Sequence, residues 1–235
     1  MRTLLDLFCG AGGAAMGYHR AGFEVTGVDI NPQPHYPFKF YQDDVTKMDW
    51  QFFENFDAIH ASPPCQGYSR LRHLPWLKEK KYPLLIDLVR KMLTKSGRPW
   101  IIENVEDSPL EGVILCGQMF GLPIYRHRKF ETSWFILSPG HPKHREVIGH
   151  GRTINDRRKG SLNNPSAKGA WGKQKIITVA GGQFKKADGI RALQIDWMTV
   201  DELAQAIPPA YTEWIGKQLM NFLTADKKVE EHKED

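Results

Sequence analysis

Apolar positions along the chain fall into short runs separated by glycine- and proline-rich turns, with stretches of helical spacing between them. Residues 3–8 are an apolar run, interrupted at Asp6 and ending at glycines, which predicts a buried strand. Residues 14–21 predict a short helix stopped by Gly22, and 24–30 a second strand carrying Val25, Val28 and Ile30. Further strands are expected at 38–41, at 57–61 before Pro63 and Pro64, at 100–105, at 130–137 and at 176–179. Between them, Leu84, Leu85, Leu88, Val89, Met92 and Leu93 recur at helical spacing within 82–95. Residues 200–207 and 212–223 also read as helices, and a charged tail at 226–235 is expected to fray. Strands alternating with helices predict an α/β fold with a mostly parallel sheet covered on both faces.

The pattern lapses from Ser138 to Gly172, where Gly, Pro, Asn, Ser, Lys and Arg dominate. That span is longer than an ordinary loop, and such loops are functional or disordered. It sets the expected organisation: a core at 1–137, a short basic insert at 138–175, and 176–225 completing the core. Charge sharpens the picture. The chain carries Lys+Arg 32 against Asp+Glu 27, a net +5, yet 141–175 alone holds nine Lys/Arg against Glu146 and Asp156. A second basic stretch runs over 70–98. Two concentrated basic stretches in a near-neutral body point to a polyanion, although solvated surface loops have the same composition.

With 41% hydrophobic and 25% charged residues over 235 positions, the composition excludes collagen-like, disulfide-scaffold and wholly disordered classes. No apolar run reaches the roughly 18–20 residues a membrane span needs, and residues 1–8 do not read as a signal peptide. The three cysteines, Cys9, Cys65 and Cys116, are widely spaced with no C-x-x-C pair, which fits a reducing, cytoplasmic setting. The His141, His144 and His150 group reads as loop surface, so no metal site is expected.

Four stretches carry candidate chemistry. The first, Asp6-Leu7-Phe8-Cys9-Gly10-Ala11-Gly12-Gly13, is a strand delivering a glycine-rich turn to a helix. Glycines let backbone approach a ligand, and Asp29, nineteen residues after Gly10, suits a ribose. By itself this stretch fits a nicotinamide dinucleotide as well as S-adenosylmethionine, or a plain structural turn. The second, Ser62-Pro63-Pro64-Cys65-Gln66-Gly67, holds a cysteine rigidly at the carboxyl end of a strand, where ligands of such sheets bind. A thiol there is a candidate nucleophile. The third, Ile101-Ile102-Glu103-Asn104-Val105, brings a carboxyl to the same edge. The fourth, Tyr125-Arg126-His127-Arg128, sets two guanidinium groups on one side of an extended segment, suited to phosphate or carbonyl recognition.

In this order the motifs DLFCGAGG, VDI, PPCQ, ENV, RxR and a C-terminal AIPP resemble the cytosine-C5 DNA methyltransferase family. The resemblance covers residues 1–137 and 176–220. It implies a Rossmann-like sheet that binds S-adenosyl-L-methionine, with a much reduced target-recognition insert, as in compact phage-like methylases. It implies cofactor binding by Phe8, Gly10, Gly12, Asp29, Ile30, Asp44 and Gln205, and catalysis by Cys65, Glu103, Arg126 and Arg128. It further implies double-stranded DNA as partner, a flipped-out base, and a monomer that needs no metal and no membrane. Asp29 stands where the family usually has Glu, Gln205 replaces an asparagine, and Ile124 stands where Gln usually precedes RxR. The resemblance leaves open an RNA cytosine methylase on the same scaffold, or a DNA-binding relative without catalysis. The glycine loop taken alone leaves open an NAD(P)-dependent oxidoreductase.

Overall fold

The computed structural model describes residues 1–69, 79–144, 148–150, 176–179 and 184–231. Seven strands form one sheet in the order β3-β2-β1-β4-β5-β7-β6. They are β1 (Arg2–Leu7), β2 (Phe23–Asp29), β3 (Lys39–Gln42), β4 (Ala58–Ala61), β5 (Trp100–Asn104), β6 (Val113–Cys116) and β7 (His127–Thr132). The first five run parallel, whereas β7 runs antiparallel to both β5 and β6. A separate parallel pair, β8 (Ile148–His150) with β9 (Ile176–Thr178), joins the segment before β7 through an Ile124–Ile177 bridge.

Alternation within the central strands explains why helices cover both faces. Leu4, Val25 and Ile101 belong to one apolar cluster, and Leu5, Leu7, Val28, Ile59 and Ile102 to the other. The first cluster takes in Ala14, Ala15 and Tyr18 of α1 (Gly13–Arg20) and Tyr211, Ile215 and Leu219 of α5 (Pro209–Glu231). The second takes in Ile86, Val89 and Leu93 of α2 (Ile86–Lys95). A sheet buried on both faces needs near-continuous apolar strands, and that is what the sequence supplies.

α1 and α5 approach unusually closely. A β-carbon at Gly17 would collide with Thr212 and the Pro209 carbonyl, so only glycine lets the two helices meet there. The entry to α5 follows from local sequence. Thr199 and Glu202 form a capping box on α4 (Val200–Gln205), and Pro209 then opens α5, where a missing N–H costs nothing.

The strand–helix alternation expected from the sequence is present, with three differences. β7 begins at His127 and ends at Thr132, short of the expected 137. Antiparallel pairing on both sides fixes its register, and Phe135 and Leu137 lie 84% and 63% exposed beyond it. β6 and α3 (Lys186–Leu193) were not expected. β6 is four residues long, and Gly189 interrupts the helical pattern of α3 because the Phe184 ring occupies its side-chain space. Finally, α5 continues to Glu231, through charged positions expected to fray.

Candidate active site

β1 ends at Leu7, and the backbone of Phe8, which follows, adopts the left-handed region at φ 57. A bulky residue there costs on the order of 1–3 kcal/mol, and such strain persists where the surroundings enforce it. Phe8 turns the chain so that the Gly10 N–H donates to Asp29 Oδ2 at 3.1 Å. Asp29 Oδ1 accepts from the Asn31 N–H at 2.9 Å. Gly10 itself sits at φ 49, and the space a side chain would fill above it is open. Beside it Ile30 is 58% exposed. A carboxylate fixed at a strand end, an apolar surface next to it and open backbone above the glycine form a donor set that fits a nucleoside.

The C-terminal motif closes over the other side of this loop. A β-carbon at Gly13 would meet the Ile207 backbone and the Ala206 side chain, so the AIPP segment lies directly on the glycine turn. Gln205 is exposed at the end of α4, next to that contact. Trp197 Nε1 donates to the Ala11 carbonyl at 2.9 Å, a second tie the sequence did not suggest. Asp44 behaves differently from expectation. Its Oδ1 accepts from the Thr46 N–H and hydroxyl, and Lys47 pairs with Oδ2 at 3.0 Å, so it caps a turn. The neighbouring cavity of about 300 Å³ is lined by Tyr41, Gln42, Asp43, Met48, Asp49 and Phe52, with Asp43 in place of Asp44.

Cys65, Glu103 and Arg128 share the carboxyl edge of β4 and β5. The Asn104 amide donates to the Pro63 carbonyl at 2.9 Å, tying the Pro-Pro-Cys turn to the strand that carries Glu103. The Tyr68 and Ser69 N–H groups both donate to the Cys65 carbonyl at 3.0 Å and close the turn. Glu103 is buried and pairs with Arg128 at 3.0 Å. Burial pushes its carboxyl above the usual range, against the pull of Arg128, Ser62 and Arg126. Burial likewise raises the Cys65 thiol, opposed by Arg128 and Arg126 and aided by Glu103. Burial thus disfavours the charged form of both groups, while the two arginines favour it.

The two arginines of the RxR motif divide their tasks. Arg128 faces Glu103. Arg126 is buried and donates to the Val179 carbonyl at 2.8 Å and the Ala204 carbonyl at 3.0 Å. It thus joins the residues after β9 and in α4 to the core, and it reaches the site only through its charge. Tyr68 packs: its hydroxyl accepts the Ile86 N–H at the start of α2. Trp76 and the arginines and lysines at 70–78 and 151–175 lie outside the described residues.

A buried chain behind Glu103 was not anticipated. The Tyr18 hydroxyl meets His60 Nδ1 at 2.9 Å, and His60 Nε2 meets the Ser62 hydroxyl at 2.8 Å. Ser62 in turn bonds Glu103. Burial lowers His60 to about 3, so the ring is neutral and relays orientation. A histidine inside a wholly apolar strand is the one sequence signal for this chain.

With that geometry in place, comparisons give the lineage. The family described as C-5 cytosine-specific DNA methylase matches residues 2–108. Over those residues the chain is similar to that family. The methylase relatives include the type II methyltransferase M.NgoPII of Neisseria gonorrhoeae, 27% identical over 115 residues, which are 43% of this chain and 33% of that protein. M.XorII of Xanthomonas oryzae is 26% identical over 142 residues, 54% of this chain and 30% of that protein. The chain thus matches about a third of the length of these curated relatives.

Among solved structures, a protein assigned as a DNA modification methyltransferase and encoded within an E. coli prophage superposes with TM-score 0.59. It is 19% identical and covers 95% of this chain and 100% of its own. The Dnmt2 methyltransferase of S. pombe reaches TM-score 0.58 at 14% identity, covering 94% and 99%. These two establish a shared fold across nearly the whole chain. Among the described residues no helix is long and apolar enough to cross a membrane.

Proposed function

We propose that the chain transfers a methyl group from S-adenosyl-L-methionine to C5 of cytosine in double-stranded DNA. The observation that carries this reading is the shared edge of Cys65, Glu103 and Arg128, with Asn104 fixing the turn of one to the strand of the other. Phe8, Gly10, Gly12, Asp29 and Ile30 are the residues that would hold the cofactor. Gln205 is placed beside them, and Asp43 is better placed than Asp44 to line the adjoining hollow. When bound, the cofactor supplies an electrophilic methyl on a sulfonium.

C5 of cytosine is a weak nucleophile. Cys65 loses its proton to water and adds as thiolate at C6, which makes C5 enamine-like. Negative charge moves toward N3, to which Glu103 in its protonated form donates its proton. Arg128 steadies the resulting carboxylate. After methylation the C5 proton leaves to water, N3 returns its proton to Glu103, and the sulfur of Cys65 departs with its bonding electrons. The ring is restored and the thiolate regenerated.

This chemistry requires the base to leave the stack, at a cost of a few kcal/mol. The basic stretches at 70–98 and 141–175 are the natural source of compensating phosphate contacts, with little base readout and a short target expected. The test is transfer of tritiated methyl to duplex DNA, with single-stranded RNA as control. Incorporation into DNA cytosine supports the reading. Absence of transfer despite cofactor binding by calorimetry would leave a binding relative without catalysis.

A further inference from the structure

Away from the methyl-transfer edge, the end of β6 and the start of β7 lie opposite each other, with Cys116 in register with His127. The chain leaving the core then brings His141 and His144 back onto this pair. The ligand atoms of Cys116, His127, His141 and His144 all lie within 4.8 Å of one another. His127 Nε2 is 2.9 Å from His141 Nε2 and 3.1 Å from His144 Nε2, and Cys116 Sγ is 3.7 Å from His144 Nε2. A tetrahedral zinc ion with bonds of about 2.05 Å to nitrogen and 2.3 Å to sulfur needs ligand separations of about 3.4 Å and 3.6 Å. The observed contacts fall close to those edges.

Proton bookkeeping points the same way. His144 Nδ1 faces the Gln118 side-chain oxygen, which can only accept, so the proton sits on Nδ1 and Nε2 presents a bare lone pair. His127 Nε2 faces two other Nε2 atoms, and a neutral ring has one N–H to offer. That hydrogen cannot serve both neighbours, so at least one of these nitrogen–nitrogen contacts has no hydrogen between its atoms. A cation at their centre satisfies every one, and Gln118 supplies the outer hydrogen bond that orients a metal-bound histidine. Among the described residues no other group of three or more His, Cys, Asp or Glu forms such a cluster.

We propose that Cys116, His127, His141 and His144 bind one divalent transition-metal ion of the zinc type. Four protein ligands fill a tetrahedral shell, so the role is structural. The ion clasps the first residues of the basic insert to the β6–β7 hairpin. His127 lies between Arg126 and Arg128, so the clasp also fixes the strand that presents Arg128 to Glu103. Binding releases the Cys116 proton to solvent and involves no redox change.

The experiment uses full-length protein without a histidine tag. Elemental analysis of the purified chain should give one zinc per chain, falling below a tenth of that in Cys116→Ser/His144→Ala. Refilling chelator-stripped protein with cobalt(II) should give tetrahedral d–d bands and a thiolate-to-metal charge-transfer band in the near ultraviolet. Cys116→Ser should lose the charge-transfer band. His141→Ala, altering an exposed residue, should bind metal at least tenfold more weakly while its circular dichroism stays native. Metal content unchanged in both variants, or stripped wild type that takes up neither zinc nor cobalt, overturns the proposal. These readouts do not depend on methyl transfer.

Discussion

The strand-end site and the β6–β7 cluster are both built from one cysteine and its polar neighbours, yet they are completed in opposite ways. Around Cys65 every partner is supplied from within the core. Glu103 is held by Arg128 and Ser62, and Asn104 fixes the turn. Around Cys116 the neighbours are three imidazoles that cannot satisfy one another. On the two proposals above, the same residue type is a nucleophile in one place and a ligand in the other, according to what surrounds it.

The largest expected effect separates the two thiols. Cys65→Ser should abolish methyl transfer while leaving cofactor binding nearly intact. On duplex DNA containing 5-fluorocytosine, wild type should remain covalently attached, since fluorine cannot leave as a proton. Peptide mapping that places the adduct on Cys9 or Cys116 would refute the assignment.

Next, Glu103→Gln should lower the transfer rate by roughly a hundred- to ten-thousandfold, the usual worth of a positioned general acid. The amide can still donate to N3 but cannot pass a proton. Single-turnover rates that match wild type would remove Glu103 from the chemistry.

The buried chain behind Glu103 gives a pH signature of its own. His60 is held at about 3 in the folded protein, well below the usual 6.5, so the unfolded chain binds more protons between those values. That stability is complete above pH 6.5 and is lost as pH falls toward 3, amounting to about 4–5 kcal/mol if the whole shift is realised. Asp6 and Glu103, both raised by burial, act in the opposite sense, favouring folding in acid and losing that contribution as pH rises. The clean measurement is therefore a difference. His60→Asn should flatten the acid limb of the unfolding free energy relative to wild type, read by denaturant titration from pH 7 to 4. Parallel curves would mean that His60 is not buried neutral.

The smallest effect concerns the cofactor loop. Asp29→Ala should weaken S-adenosylmethionine binding by about 1.5–3 kcal/mol per lost charged hydrogen bond, with DNA affinity nearly unchanged. Unchanged calorimetric affinity would reduce the Gly10–Asp29 contact to a structural turn.

Local sequence determined a good deal of this protein. Apolar strands buried on both faces and glycine turns read directly from short stretches, because each depends on neighbours within a few positions. Cys65 and Glu103 were legible for the same reason: each follows or ends a recognisable strand, and strand ends of a parallel sheet face one crevice. The limits of β7 were not, since antiparallel register outweighs local composition there, and α5 also runs on through charged positions to Glu231.

Only the tertiary structure decided which polar groups meet. It turned Arg126 toward two backbone carbonyls and Arg128 toward Glu103, although the two are alternate residues of one motif. It made Asp44 a cap, joined Tyr18 to Ser62 through His60, and brought Cys116 and His127 against His141 and His144. Apart from the Asp44 cap and the His60–Ser62 contact, these partners lie more than ten positions apart in the chain. Spacing within a motif carries no record of such distances, because closing a long loop is decided by the packing that rewards it.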